Sequence, residues 1–108
     1  MNDSRSSVNF LSALAAFSAS LSQSDLAIFR VHYNIEVFGS WTIEMGRRHR
    51  RALVEWDGRE FVMSISLCDV SDSRAAKGWK VVSDEQLDSG VPYEELFQIA
   101  ENLVLEKF

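Results

Sequence analysis

The longest run of alternating apolar and polar residues in the chain extends from Ala27 to Phe38. Its apolar members are aromatic or β-branched and take every second position: Phe29, Val31, Tyr33, Ile35 and Val37. The positions between them are charged or polar: Arg30, His32, Asn34 and Glu36. Because successive side chains of a β-strand point to opposite faces, this pattern predicts a long strand with one buried face and one solvent-facing face.

A first β-hairpin is predicted where this strand ends. Gly39 and the serine after it turn the chain into a second alternating run, residues 41–45. A two-residue loop would mix the two faces, whereas a three-residue loop or a bulge at Gly39 keeps the apolar residues together. The predicted register therefore pairs Val37 with Ile43, Ile35 with Met45 and Glu36 with Glu44.

A second hairpin is marked by Asp57 and Gly58 between two alternating runs. This dipeptide is typical of a type I′ turn, which requires a positive φ at both central residues. A two-residue loop would also give apolar cross-strand pairs, Val54 with Phe61 and Ala52 with Met63. Turn chemistry and alternation thus agree on a hairpin here.

The segment after the second hairpin is polar over residues 68–78, which predicts a loop or a short irregular helix. A short fifth strand is predicted at residues 79–82. The sequence from Ser83 to Gln86 then resembles a capping box that opens one helical turn, with Gly90 ending it.

An amphipathic helix is predicted at each end of the chain. The first runs from Val8 to Ser22 with Ser6 or Ser7 as its N-cap, and has a narrow apolar stripe: Phe10, Leu14, Phe17 and Leu21. The last runs from Pro92 to Lys107 with a broader stripe: Tyr93, Leu96, Phe97, Ala100, Leu103 and Val104. Ile99, Leu105 and Phe108 widen its apolar arc further, so either the first helix packs alongside it or a second chain does.

These elements predict an α+β fold. We expect a two-layer sandwich in which an antiparallel sheet of four to five strands, built from two consecutive hairpins, is flanked by the N- and C-terminal helices. Residues 8–108 would form this single domain after a flexible N-terminal arm, residues 1–7. In shape and charge the plan has a loose likeness to small acidic secretion chaperones and to small immunity or inhibitor proteins.

Charge is distributed unevenly in this chain of net charge −5. Residues 84–108 carry seven carboxylates and one lysine, whereas residues 46–51 hold four arginines and a histidine. Such a basic turn can contact phosphates, which makes Arg47, Arg48, His49, Arg50 and Arg51 candidate nucleic-acid contacts. We favour the alternative that these arginines neutralise carboxylates on the outer sheet face.

No catalytic or metal-binding pattern in the sequence specifies a chemistry. Opposed Glu36 and Glu44 would need a desolvating cleft to act as an acid and a base. Cys68 could form a nucleophile and base with His32 or Asp69, but it ends an apolar strand and is better explained as an inert thiol. The spacing of His32 and His49 does not match a metal site. We therefore expect neither an enzyme nor a cofactor.

The leading hypothesis is a non-enzymatic protein-binding or regulatory module that acts as a homodimer. The absence of a long apolar span argues against a membrane protein, and the single cysteine fits the cytoplasm. The candidate interface consists of apolar residues of the two helices: Phe10, Leu14, Phe17, Leu21, Phe97, Ile99, Leu103, Leu105 and Phe108. A nucleic-acid-binding regulatory protein is the alternative.

Overall fold

A computed structural model describes residues 7–70 and 78–108 of the chain. The elements follow one another as α1 (Ser7–Ser22), β1 (Ala27–Asn34), β2 (Ser40–Arg47), β3 (Arg50–Asp57), β4 (Val62–Asp69), β5 (Lys80–Gln86) and α2 (Tyr93–Lys107). The five strands form one antiparallel sheet in the order β1-β2-β3-β4-β5. The predicted α+β class, with a helix before and a helix after the sheet, is therefore confirmed.

The core lies between the inner face of the sheet and the two helices. Its centre is aromatic: the Phe10 ring stacks on Tyr33 at 4.3 Å between centroids, and Phe17 stacks on Phe97 at 4.7 Å. Around them lie fully buried strand residues: Trp41, Ile43, Met45, Val54, Met63 and Ile65. The predicted stripe of α1 is confirmed at three of its positions, while Leu14 is only half-buried.

The broad apolar arc of α2 is covered largely by the chain itself. Pro92 precedes the helix as its N-cap, and Leu96, Phe97 and Val104 are buried. Helix α1 packs alongside, and the Ser20 hydroxyl lies 2.8 Å from both carboxylate oxygens of the buried Glu101. Of the two ways to cover α2 left open by the sequence, packing against α1 is the one observed.

The end of β1 differs from the prediction. The Asn34 side chain accepts a hydrogen bond from the Glu36 amide at 3.0 Å, and residues Ile35–Val37 form a 3₁₀ turn. Positive φ angles at Phe38 (56°) and Gly39 (71°) then complete a loop longer than expected. Val31 faces Ile43 and Tyr33 faces Trp41, so the predicted register, with its Val37–Ile43, Ile35–Met45 and Glu36–Glu44 pairs, is wrong.

A β-bulge also changes the face of one residue in β1. The register shifts between Ile28 and Arg30, and the ring of Phe29 lies under the guanidinium of Arg51 on the outer face. An extra residue in one strand reverses the side-chain alternation on either side of it. Phe29 is therefore half-exposed, and the prediction that it shares the buried face of Val31 and Tyr33 is wrong.

The second hairpin has the predicted faces but another register. Val54 faces Ile65, and Ala52 faces Leu67, because four residues rather than two connect the strands. The Asp57 carboxylate accepts the amides of Arg59 and Glu60, a local capping that favours this wider turn. Relative to the prediction, β4 is shifted along β3 by an even number of residues, from Phe61 to Ile65 opposite Val54, so the same face of each strand stays in the core.

Gly58 is required for a reason other than the predicted one. Its φ is not positive; Phe61 takes the left-handed conformation in this turn, with φ 57°. A Cβ atom on Gly58 would instead collide with the carbonyl oxygen of Phe38. The loop after β1 and the loop after β3 thus touch at the same end of the sheet.

Strand β5 is longer than predicted. Residues 83–86, expected to open a helical turn, continue the strand, and Gln86 lies opposite Val62. The Ser64 hydroxyl also donates to the Asp84 carboxylate. Pairing with β4 therefore overrides the local capping signal. The predicted loop at 68–78 falls mostly outside the described residues, as does the arm 1–7, except that Ser7 begins α1.

Candidate functional site

The two edge strands of the sheet are candidate binding surfaces. Among the described residues, β1 pairs only with β2, and β5 pairs only with β4. An edge strand carries a row of backbone N–H and C=O groups that a further strand can use. Natural proteins usually protect such edges with charge, bulges or short length, so the side chains decide whether an edge can pair.

Exposed apolar side chains concentrate on the β1 side. Of the eight large hydrophobic residues exposed in the described part of the chain, five lie in β1 and the loop after it: Phe29, Val31, Ile35, Val37 and Phe38. The most exposed of all is Leu11 in α1, at 62%. Val81 and Leu105 are the remaining two.

Leu11 belongs to the same side of the molecule. Helix α1 packs against β1, whereas α2 packs against β4. The flank of α1 that meets α2 contains Ala16 and Ser20, which line a cavity of about 210 Å³ with residues of α2. Leu11 lies nine residues before Ser20, half a turn away at 100° per residue. It therefore projects from the opposite flank, toward the β1 edge. We call Leu11, Phe29, Val31, Ile35, Val37 and Phe38 the β1-side apolar surface.

The outer face of the sheet, opposite the helices, contains a cleft of about 460 Å³ beside β1. Most of its lining surface is apolar. Its polar members include His32, Thr42, Glu55 and Ser64, which follow one another as cross-strand neighbours. Val37 borders it from the loop after β1. In the part of the chain that is described, no three His, Cys, Asp or Glu residues come together as a metal site.

The arginine turn lies at the opposite end of the sheet from the loop after β1. Arg47 donates to the Ser24 carbonyl at 2.8 Å, and the guanidinium groups of Arg47 and Arg50 each lie 5.7 Å from the ring centre of Phe108. Arg50 is 3.8 Å from the Asp69 carboxylate. These contacts join the turn to the loop after α1, to α2 and to β4.

Arg51 contacts the outer face and not solvent alone. Its guanidinium lies 3.9 Å from the Phe29 ring centre and 3.9 Å from the carboxylate of Glu44. Glu44 also binds Arg30 at 2.8 Å. Arg48 and His49 form the exposed tip of the turn, and Arg48 has a positive φ of 54°. Three of the four arginines therefore have protein partners.

The structure does not bring together the residues of the candidate catalytic pairs. Glu36 is exposed in the 3₁₀ turn, while Glu44 lies between two arginines on the sheet. Cys68 is buried in β4, three strands away from His32 in β1, or roughly 14 Å at the usual strand spacing. Glu36 and Glu44, and likewise Cys68 and His32, are too far apart for proton transfer.

The candidate interface residues fall into two groups. Phe10, Phe17, Leu21 and Phe97 are buried within the single chain and offer no surface. Leu14, Ile99, Leu103 and Phe108 are half-buried, and Leu105 is exposed at 36%. None of the predicted interface residues belongs to the β1-side apolar surface. The signal was available in the alternating apolar residues of positions 29–37, which the sequence pattern assigns to the buried face of the strand.

Comparison of the chain with protein-family models, with characterised proteins and with solved structures finds no match. The structure therefore defines a class by architecture alone, a two-layer α+β sandwich in which β1 and β5 are the edge strands among the residues described. Within the described ranges, no helix is both long and apolar enough to cross a membrane.

Proposed function

We propose that this protein is a non-enzymatic protein-binding module that acts as a homodimer in the cytoplasm, and that the β1 edge is where the second copy binds. The observation that carries this proposal is the difference between the two edges. Both edge strands have backbone groups that no other described strand pairs; the β1 side also carries the β1-side apolar surface, whereas β5 exposes mostly charged and polar side chains.

Physical reasoning supports pairing at β1. Solvent exposure of several aromatic and β-branched residues beside an open strand edge favours association, because pairing satisfies backbone groups and removes apolar surface from water in one step. Five of the exposed apolar residues fall within ten positions of the chain, 29–38, unlike the scattered single hydrophobics that are normal on protein surfaces.

The nucleic-acid alternative has less support. A phosphate-binding patch needs arginines that project freely, whereas Arg47, Arg50 and Arg51 bind a carbonyl, aromatic rings and carboxylates of their own chain. Net charge −5 would also repel a polyanion from most directions. We therefore assign the turn a structural role.

A charge placed on each edge tests the proposal. Val31→Lys puts an ammonium group on the β1 edge, and Val81→Lys is its matched control because Val81 is an exposed valine on the β5 edge. We expect sedimentation equilibrium to give twice the chain mass for the wild type and Val81→Lys, and at least a tenfold weaker dimer for Val31→Lys. A monomeric wild type at micromolar concentration, or equal behaviour of the two variants, would contradict the proposal.

A further inference from the structure

We infer that the second copy pairs its own β1 antiparallel to β1 of the first, about a twofold axis that passes between the two His32 residues. This inference rests on the proposed function and adds the identity, direction and register of the paired strand. The two five-stranded sheets would then form one continuous sheet, with the helices of both copies on the same side.

The strand itself restricts the register. The bulge interrupts β1 between Ile28 and Arg30, and the 3₁₀ turn begins at Ile35, so residues 30–34 are the regular part. In an antiparallel twofold pair, an axis placed between two successive residues would set inner-face residues opposite outer-face ones, so the pair must be centred on a residue. Centring it on His32 is the arrangement that uses all of residues 30–34 in both copies.

Side chains agree with this register. Val31 lies opposite Tyr33 of the second copy on the inner face, which gives two aromatic–β-branched pairs, a favourable cross-strand combination. Arg30 lies opposite Asn34 of the second copy on the outer face. Centring the pair on Arg30 instead would oppose two arginines, and like charges directly opposite each other are destabilising.

The ends of the paired segment bring further apolar residues together. Continuing the same register by one residue sets Ile35 of one copy level with Phe29 of the other, at both ends of the pair. Both side chains are at least half-exposed in the single chain, 56% and 50% respectively. The loop after β1, which otherwise exposes its apolar residues to water, would thus lie against the bulge of the second copy.

The helical layer meets at the same axis. Because Phe10 stacks on Tyr33 and a short connection joins α1 to β1, the helix runs antiparallel to the strand. One strand residue advances about 3.3 Å and one helix residue about 1.5 Å, so His32 is level with about two residues after Phe10. Leu11 and Leu14, on the flank that faces the β1 edge, would therefore approach their counterparts near the axis.

Disulfide trapping tests the register. Residues directly opposite in an antiparallel pair have Cα atoms roughly 4.5–5.5 Å apart, within the range that a disulfide spans. We expect His32→Cys to give a covalent dimer under mild oxidation with oxidised glutathione, and peptide mapping to identify a 32–32 bond. Arg30→Cys is the matched control: its two copies would be about 13 Å apart along the strands and would not cross-link.

The outcomes separate this inference from the proposed function. Efficient 32–32 bonding with no 30–30 bonding supports the register. A noncovalent dimer that is disrupted by Val31→Lys but cross-links through Arg30→Cys, or fails to cross-link through His32→Cys, overturns the register and leaves the β1 edge as the binding site. A monomeric wild type overturns both. Oxidised wild type, with the buried Cys68 as its sole thiol, sets the background.

Discussion

The two edges of this sheet solve the same problem in different ways. Strand β5 ends the sheet with Lys80, Asp84 and Glu85, and Val81 is its single large exposed hydrophobic residue. Strand β1 ends it with exposed Phe29 and Val31 alternating with exposed Arg30 and His32, and it continues into a loop that exposes three more apolar side chains. Both strands contain a register shift, so the bulge is common to them and the difference lies in the side chains.

This difference separates protection from recognition. Charged side chains on an edge strand make pairing costly, because a partner strand would remove them from water. The β1 edge also carries the exposed polar side chains of Arg30 and His32, but burial of Phe29 and Val31 would favour pairing there, so this edge is better suited to pairing than β5. The core does not explain the apolar residues at positions 35–38, because they are exposed in the folded chain.

The largest effect that we expect comes from the contact that positions the loop after β1. Gly58→Val should destabilise the fold by about 1–3 kcal/mol, because the new side chain would collide with the Phe38 carbonyl. Gly90→Ala is the control, since no atom lies within 4 Å of a Cβ placed there. Urea denaturation of both variants measures the difference. An unchanged midpoint for Gly58→Val would show that the loops after β1 and β3 do not pack together. The position of the apolar loop beside β1 would then be wrong.

A smaller change in stability is expected at the arginine turn. This turn is the alternative binding surface, and a function there would make the difference between the two sheet edges irrelevant to binding. Arg47→Gln should lower the free energy of unfolding by about 1 kcal/mol, because it loses the hydrogen bond to the Ser24 carbonyl, whereas Arg48→Gln at the exposed tip should change it by no more than about 0.5 kcal/mol.

The wild type should show no gel shift with DNA or RNA at about 0.1 M salt. A shift at that salt, lost in Arg48→Gln, would move the binding surface to the turn.

The sequence predicted the layers better than the registers. Periodicity and caps identified both helices and the faces of β3 and β4, since a core imposes these patterns along a whole element. Register depends instead on single hydrogen bonds, such as Asn34 to the Glu36 amide and Asp57 to the Arg59 amide. Each of them lengthened a loop whose composition also suits a tighter turn.

The candidate site was missed for a related reason. An apolar residue in an alternating run is normally assigned to the core, and nothing local distinguishes Ile35 or Val37 from Val31 in that run. Their exposure follows from the end of the strand at Asn34 and from the position of β1 at the edge of the sheet. Strand order is a property of the whole fold, which local patterns do not contain.

Hydrogen–deuterium exchange of the unmodified chain, followed as a function of protein concentration, tests the central claim most directly. It compares the two edges in one sample and requires no substitution. If the second copy pairs along β1, amide protection in residues 27–34 should rise with concentration through the dimerisation range, while protection in residues 80–86 stays constant. Concentration-independent exchange at β1, or a rise confined to β5, would contradict the account.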